Sequence, residues 1–173
     1  MLKRDFFILL LIIVIIIGIY FAYHITQQNF LAGNESLTMI EKNSALSEQS
    51  IKENVPTITV GATTLRLELA DTAEERTLGL SGRTSLPQDT GLLFIFEEAG
   101  RWGFWMKDMH FSIDIIWLDE NYKVVGLKEN AKPESYPETF MPQAPAKYVL
   151  ETNVNFIKNN NIQYGTIMAL TNM

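Results

Sequence analysis

The chain has no cysteine and only two histidines, His24 and His110, among its 173 residues. The absence of cysteine excludes disulfides, thiolate nucleophiles and cysteine-ligated zinc, and two histidines are too few for a histidine-rich metal centre. Basic residues are also scarce, since 14 Lys and Arg stand against 20 Asp and Glu. A net charge of −6 argues against non-specific nucleic-acid binding, which needs clustered positive charge. P-loop, dinucleotide-binding and EF-hand patterns are missing too, so we expect no nucleic acid, metal or cofactor.

One long apolar run stands near the amino terminus, where residues 6–23 are apolar at every position except Gly18. About 20 helical residues cross the ~30 Å hydrocarbon core of a bilayer, so the run predicts a transmembrane helix. Lys3 and Arg4 precede the run and the next basic residue is Lys42, which predicts a cytoplasmic amino terminus and an extracytoplasmic main domain. The alternative is a cleaved signal peptide, but the run exceeds the usual ~7–15 residues and no clear A-x-A site follows it. We therefore expect a single-pass protein of the cell membrane.

The remainder of the chain divides by composition into a spacer and a domain. Residues 1–24 form the anchor with its short cytoplasmic end, and residues 25–55 are rich in Asn, Gln, Ser, Glu and Lys. The second segment predicts a polar spacer, with a short coiled coil as the alternative. Residues 56–173 are expected to fold, because a chain of about 115 residues can bury a hydrophobic core.

The patterns within residues 56–173 predict a β-rich α+β fold. Leu65 and Leu67 alternate with charged residues, which is typical of a half-buried strand. Thr72 and Glu75 have the spacing of a capping box, which predicts a short helix ending at Gly79. The expected helices are 73–78 and 154–159, the second capped by Asn153, and the expected strands are 57–60, 63–70, 91–96, 102–106, 112–119, 122–129, 147–151 and 166–170. We thus expect a mostly antiparallel, barrel-like sheet with two short helices, preceded by the transmembrane helix.

Three sequence blocks stand out in this domain. They are ADTAEER at residues 70–76, GLLFIF with FWMK between residues 91 and 107, and PAKYVLE at residues 145–151. In this order they resemble the Domain of Unknown Function 192 family of bacteria and archaea. The resemblance covers roughly residues 57–171 and implies a compact β-rich domain, often exported or membrane-tethered, with no settled activity.

This sequence departs from the family pattern at three places. Asp108 stands where the family usually has Asn, and Ser112 stands where Pro is common. Many members carry a cysteine pair in the loop that matches residues 133–142, and this chain has none. A redox or metal role that depends on those cysteines is therefore not expected here.

Five residues in and around these blocks are the candidate ligand-binding residues: Arg76, Arg83, Trp105, Lys107 and Asp114. Trp105 offers a flat apolar surface, and Lys107 could hold an anionic group. Arg76 and Arg83 flank a glycine-containing turn and, with Lys107, could line an anion-binding cleft. Structural interpretations compete with this one, since Trp105 and Lys107 can lie on the outer side of a core strand. Arg76 can likewise pair with a carboxylate on its own helix.

The residue types His110, Ser112 and Asp114 are those of a Ser/His/Asp catalytic triad, and in a strand they would share one face. Residues two apart on a strand lie about 6.6 Å apart, which strains the ~3 Å contacts that a nucleophile and its base need. The chain also has no G-x-S-x-G elbow. A catalytic triad is therefore not expected.

We expect a non-enzymatic binding or accessory module whose partner is a small ligand or another envelope protein. The alternative is a small-molecule hydrolase or other enzyme in which Asp114 and Lys107 act as acid and base. A third hypothesis is a scaffold that uses the proline-rich loop at residues 133–145 for docking. The sequence leaves open whether any catalysis occurs.

Overall fold

The computed structural model describes residues 15–29, 39–44 and 55–173. The chain divides into two units, Met1–Glu53 and Asn54–Met173. In the first unit, residues 15–29 and 39–44 are helical and exposed. Neither of these helices is long and apolar enough to cross a membrane. Residues 6–14 of the apolar run and most of the expected spacer lie outside the described residues, so the transmembrane helix stays a prediction.

The second unit is a seven-stranded sheet curled into a half-barrel. Its strands are β1 (Thr57–Val60), β2 (Thr63–Ala70), β3 (Thr90–Gly100), β4 (Ile113–Leu118), β5 (Val124–Ala131), β6 (Ala146–Asn153) and β7 (Ala169–Thr171). Across the sheet they lie in the order β5-β4-β6-β3-β2-β1-β7. Every neighbouring pair within residues 55–173 is antiparallel except β2 with β3. The predicted β-rich, mostly antiparallel sheet is therefore confirmed.

The first short helix, α1 (Ala73–Leu78), is built by the capping box that the sequence predicts. The Thr72 side chain accepts the backbone N–H of Glu75, and the Glu75 side chain accepts the backbone N–H of Thr72. The helix ends at Gly79, whose φ of 52° and ψ of −132° suit a residue without a side chain. Because α1 and the turn after it cross over the sheet, β3 can run parallel to β2.

The second short helix, α2 (Phe156–Asn159), begins later than predicted. Its N-cap is Asn155 in a left-handed conformation, with no capping hydrogen bond from the side chain. The expected cap, Asn153, is the last residue of β6, and its Nδ2 donates to the carbonyls of Leu86 and Pro87 instead. A 3-10 turn (Pro133–Ser135) lies in the proline-rich loop.

The central strands of the sheet are buried on both faces. Successive strand residues point to opposite faces, so neighbours such as Phe94 and Leu93 join different apolar clusters. Phe94, Ile115 and Trp117 belong to the first cluster, together with side chains from the segment after α1. Leu93 and Ile116 belong to the second, with side chains of β1, β2 and α2. This double cover explains why β3 and β4 are continuous apolar runs in sequence.

The prediction of a strand over residues 102–106 is wrong. This segment makes only an isolated bridge, in which Phe104 and Phe140 exchange backbone hydrogen bonds of 2.9 and 2.7 Å. The apolar residues of the segment favour a strand, but a strand also needs a neighbouring strand with which it forms a continuous series of backbone hydrogen bonds. The bridge joins the segment to the proline-rich loop and fixes it over the first apolar cluster.

Candidate functional site

A cavity of about 400 Å³ opens where α1 and the turn after it face the sheet. Five aromatic side chains contribute to its wall: Phe94, Phe96, Trp102, Phe104 and Trp105. The wall also contains two ionisable side chains, Arg76 and Glu151. Clefts of this volume, with mostly apolar walls and a few polar groups, are typical of sites for small molecules. We call it the aromatic cavity.

Ring contacts hold the aromatic wall in place. Phe96 and Trp102 stack with their centroids 4.2 Å apart and their planes 8° apart. Phe94 and Phe104 meet edge to face, with centroids 4.8 Å apart. Such packing keeps the flat faces of the rings in fixed orientations, so the cavity is largely formed before a ligand enters.

Glu151 is the buried carboxyl of the aromatic cavity. It lies on β6, between Leu92 of β3 and Ile115 of β4, and only 5% of it is exposed. Its Oε2 has no hydrogen-bond partner among the residues that the structure describes. Burial raises the pKa of Glu151 to about 8, although the charge of Arg83 acts to lower it. At neutral pH this side chain is therefore mainly protonated and uncharged.

Gly79 lets the chain close over this carboxyl. A Cβ atom at Gly79 would lie 3.2 Å from Phe94 Cζ and 4.0 Å from Glu151 Oε2. Any side chain would press on the cavity wall, and the positive φ would strain it as well. The end of α1 thus sets how closely the turn approaches the sheet.

Arg76 reaches the cavity wall from α1. Its Nη1 donates to the backbone carbonyls of Asp71 and Ile95, the second at 2.9 Å. Its guanidinium carbon lies 5.4 Å from the centroid of Phe96. These contacts link α1 to β3 and place a positive charge beside the aromatic rings.

Trp105 and Lys107 lie at the outer side of the cavity. Trp105 is 54% exposed and lines both the aromatic cavity and an adjoining, more open cleft of about 510 Å³. Lys107 is exposed and lines the adjoining cleft but not the aromatic cavity. The structure therefore places Trp105 with Arg76 in one cavity and with Lys107 in the other.

The other two predicted residues lie elsewhere. Arg83 forms an ion pair of 2.7 Å with Glu68 and is not part of the cavity wall, although its charge acts on Glu151. Asp114 is buried on β4 and points to the opposite face from its neighbour Ile115. Its two carboxylate oxygens accept the backbone N–H groups of Asn130 at 2.8 Å and Ile157 at 2.9 Å. Asp114 and Lys107 therefore share neither cavity.

Glu151 is the residue that the sequence reasoning missed, although it ends one of the recognised blocks. A signal was present, because Val149 and Glu151 must share a face of β6 and Val149 is apolar. A charged residue whose position in the strand places it on the buried face is a candidate for a perturbed pKa. The sequence patterns likewise predict no site role for the aromatic residues at 94, 96 and 102.

Comparison with known proteins supports the fold and gives the family. The chain is similar to a crystal structure described as a candidate transcription regulator from Sinorhizobium meliloti 1021. That similarity has 26% identity and a TM-score of 0.62, and it covers 68% of this chain and 93% of that one. It is also similar to the crystal structure of a protein of unknown function from Novosphingobium aromaticivorans DSM 12444. Here the identity is 28% and the TM-score 0.61, over 66% of this chain and 83% of the other.

A UPF0127 protein from Thermococcus sibiricus is 35% identical over 102 residues, which are 58% of this chain. The match spans 62% of that relative, so it covers less than two thirds of its length. The family model of DUF192, described as uncharacterized ACR, matches residues 56–170. The chain therefore belongs to the DUF192 family, as its three sequence blocks predict.

Proposed function

We propose that residues 56–173 form a binding module for a small organic ligand with a flat ring, and that the aromatic cavity is its site. The observation that carries this proposal is the buried Oε2 of Glu151, which has no hydrogen-bond partner among the described residues and lies in a cavity lined by five aromatic side chains. Leaving a buried polar atom without a partner costs roughly 1–3 kcal/mol, and a bound ligand can supply the missing partner. Aromatic walls give a ring a large contact area in a defined orientation.

The proposed role is binding rather than catalysis. Two hydroxyls in the cavity wall, those of Thr77 and Ser81, donate to the backbone carbonyls of Ala73 and Lys107. In the described part of the chain, neither hydroxyl contacts a base that would activate it as a nucleophile, as covalent catalysis requires. The enzyme alternative joins Lys107 to Asp114, and the carboxylate of Asp114 is occupied by two backbone amides.

The binding role is tested by titrating the full-length protein with 2-naphthol in a calorimeter. We expect saturable binding that Trp105→Ala weakens roughly tenfold, because the variant loses one ring contact and its apolar area. Trp105 is 54% exposed, so this substitution leaves the core intact. Tyr164→Ala is the matched control, since Tyr164 is similarly exposed and lines neither cavity. Equal affinity of the Trp105→Ala variant and the native chain would contradict the proposed site.

The second part of the proposal is that residues 6–23 anchor this module at the outer face of the cell membrane. Its support is the length of the apolar run and the basic residues before it. In membranes washed with alkaline carbonate, we expect the native chain to stay in the pellet. A variant with Ile12→Arg and Ile16→Arg should leave the pellet, because each charge at a helix centre opposes insertion by about 2.5–3.5 kcal/mol. Release of the native chain by carbonate would count against the anchor.

A further inference from the structure

The polar groups of the aromatic cavity are mainly hydrogen-bond donors. Trp102 lines the cavity, and its Nε1 is buried with no acceptor among the described residues. Glu151 in its protonated form adds an O–H group, and Arg76 adds a guanidinium. The hydroxyl protons of Thr77 and Ser81 are already directed to backbone carbonyls. A ligand that fits these groups must therefore offer acceptors.

Arg76 has donors left over. The protein uses only its Nη1, which serves two backbone carbonyls, and within the described part of the chain Nε and Nη2 have no acceptor. Nε and Nη2 form the edge of the guanidinium that pairs with a carboxylate through two parallel hydrogen bonds. Among the described residues that line the cavity, no other side chain is cationic, and Glu151 is neutral below about pH 8. The cavity therefore has a positive charge at neutral pH.

The surroundings of Glu151 explain why it can lie beside a negative ligand. The charge that acts on Glu151 is that of Arg83, from the turn after α1, and Arg83 is itself paired with Glu68 of β2. Arg76 of α1 lines the same cavity as Glu151. The strands on either side present apolar side chains, such as Phe94 of β3 and Ile115 of β4. Desolvation outweighs the effect of Arg83 on the pKa, so the neutral form dominates. A neutral carboxyl can donate to a carboxylate oxygen, whereas an ionised one would repel it.

We infer that the ligand of the aromatic cavity is a planar ring bearing a carboxylate, which pairs with the guanidinium of Arg76 and accepts a hydrogen bond from Glu151. This inference rests on the proposed function and names its ligand class. The competing ligand is a ring with an ammonium group, which aromatic walls and an ionised carboxylate would bind together. That ligand would have to enter beside the charge of Arg76 and remove the proton from Glu151. The donors in the wall therefore favour the carboxylate.

Three probes of one shape separate these ligands: 2-naphthoate, 2-naphthamide and (2-naphthyl)methylammonium. We would titrate each into the full-length protein by calorimetry at pH 6.5. The inference predicts that 2-naphthoate binds at least tenfold more tightly than the ammonium probe, with the amide in between. Tighter binding of the ammonium probe overturns the ligand class but leaves the proposed binding role standing. Failure of all three probes to bind overturns the proposed function itself.

Substitution of Arg76 tests its pairing with the carboxylate. Arg76→Gln should lower the affinity for 2-naphthoate at least tenfold and change the affinity for 2-naphthamide much less. Arg66→Gln is the matched control, because Arg66 pairs with Asp89 at 2.8 Å on the exposed surface. Equal losses of affinity for 2-naphthoate and 2-naphthamide would show that Arg76 supports the fold and does not pair with the carboxylate.

A second variant tests Glu151 even if Arg76→Gln fails to fold. The affinity of the native protein for 2-naphthoate should be constant near pH 6.5 and fall up to tenfold per pH unit above about pH 8. Glu151→Gln keeps an N–H donor without a titrating proton, so its affinity should be independent of pH from 6.5 to 9. Circular dichroism at each pH confirms that the protein is folded. A native affinity that stays flat or rises above pH 8 would overturn the role given to Glu151.

Discussion

Glu151 makes the stability of the domain depend on pH. Its pKa is about 8 in the folded protein and near the ordinary 4.5 in the unfolded chain. Between these values the folded state holds a proton that the unfolded state has lost. The free energy of unfolding therefore falls as pH rises through this window, by up to about 1.4 kcal/mol per pH unit. Glu151→Gln removes this dependence, so the variant should gain stability relative to the native chain from pH 5 to pH 8.

Urea unfolding at pH 5 and pH 8 checks this prediction. Glu129→Gln is the control, because Glu129 is exposed on β5. Its substitution should change the free energy of unfolding by the same amount at both pH values. If the difference between Glu151→Gln and the native chain is the same at both pH values, Glu151 does not hold a proton in the folded state at neutral pH.

Asp114 is a structural residue in this account rather than a ligand-binding one. Its carboxylate satisfies two backbone N–H groups inside the domain, and an amide at this position would direct a donor at one of them. We expect Asp114→Asn to lower the free energy of unfolding by about 2 kcal/mol or more. Asp119→Asn is the matched control, because Asp119 also accepts two backbone N–H groups, but in an exposed turn. Equal losses of stability in the two variants would show that burial of Asp114 matters little.

The end of α1 controls the shape of the aromatic cavity. Gly79→Ala should cost about 2–3 kcal/mol, because alanine is strained at this φ and ψ and its Cβ meets Phe94. Gly61→Ala should cost only about 1 kcal/mol, since Gly61 has a similar φ of 58° but open space around it. Thermal unfolding of both variants gives the comparison. A Gly79→Ala variant as stable as Gly61→Ala would mean that the turn does not press on the cavity wall.

Elements that local rules determine could be predicted from the sequence. The capping box of Thr72 and Glu75 fixes both the start and the nature of α1, and the alternation in β2 fixes that strand. The segment at residues 102–106 has equally apolar residues, yet it forms no strand. The backbone partner of Phe104 in this segment is Phe140, which lies 36 positions later in the proline-rich loop. No local sequence pattern predicts this pairing. Local sequence therefore determines α1 and β2, whereas the structure of residues 102–106 depends on a contact that is distant in sequence.

The candidate site depends on the whole molecule and was predicted only in part. Side-chain chemistry alone predicts Arg76 and Trp105 as site residues, and both line the aromatic cavity. The same reasoning predicts Asp114, but its side chain points to the other face of the sheet, which only the register of β4 decides. Glu151 is buried because α1 and the turn after it, which are distant from β6 in sequence, pack over it in the folded domain. Desolvation of this kind is a property of the folded domain, not of the block PAKYVLE.

The central claim is that Glu151 is a neutral carboxyl in a ligand cavity. The most direct test is a pH titration of the carboxyl ¹³C resonances of the glutamates by NMR, without and with 2-naphthoate. We predict one resonance with a pKa of about 8 that is missing from Glu151→Gln and that moves when 2-naphthoate is added. With the anion bound beside it, its pKa should rise further. If every glutamate titrates near its ordinary value, or if the Glu151 resonance does not respond to 2-naphthoate, the account is contradicted.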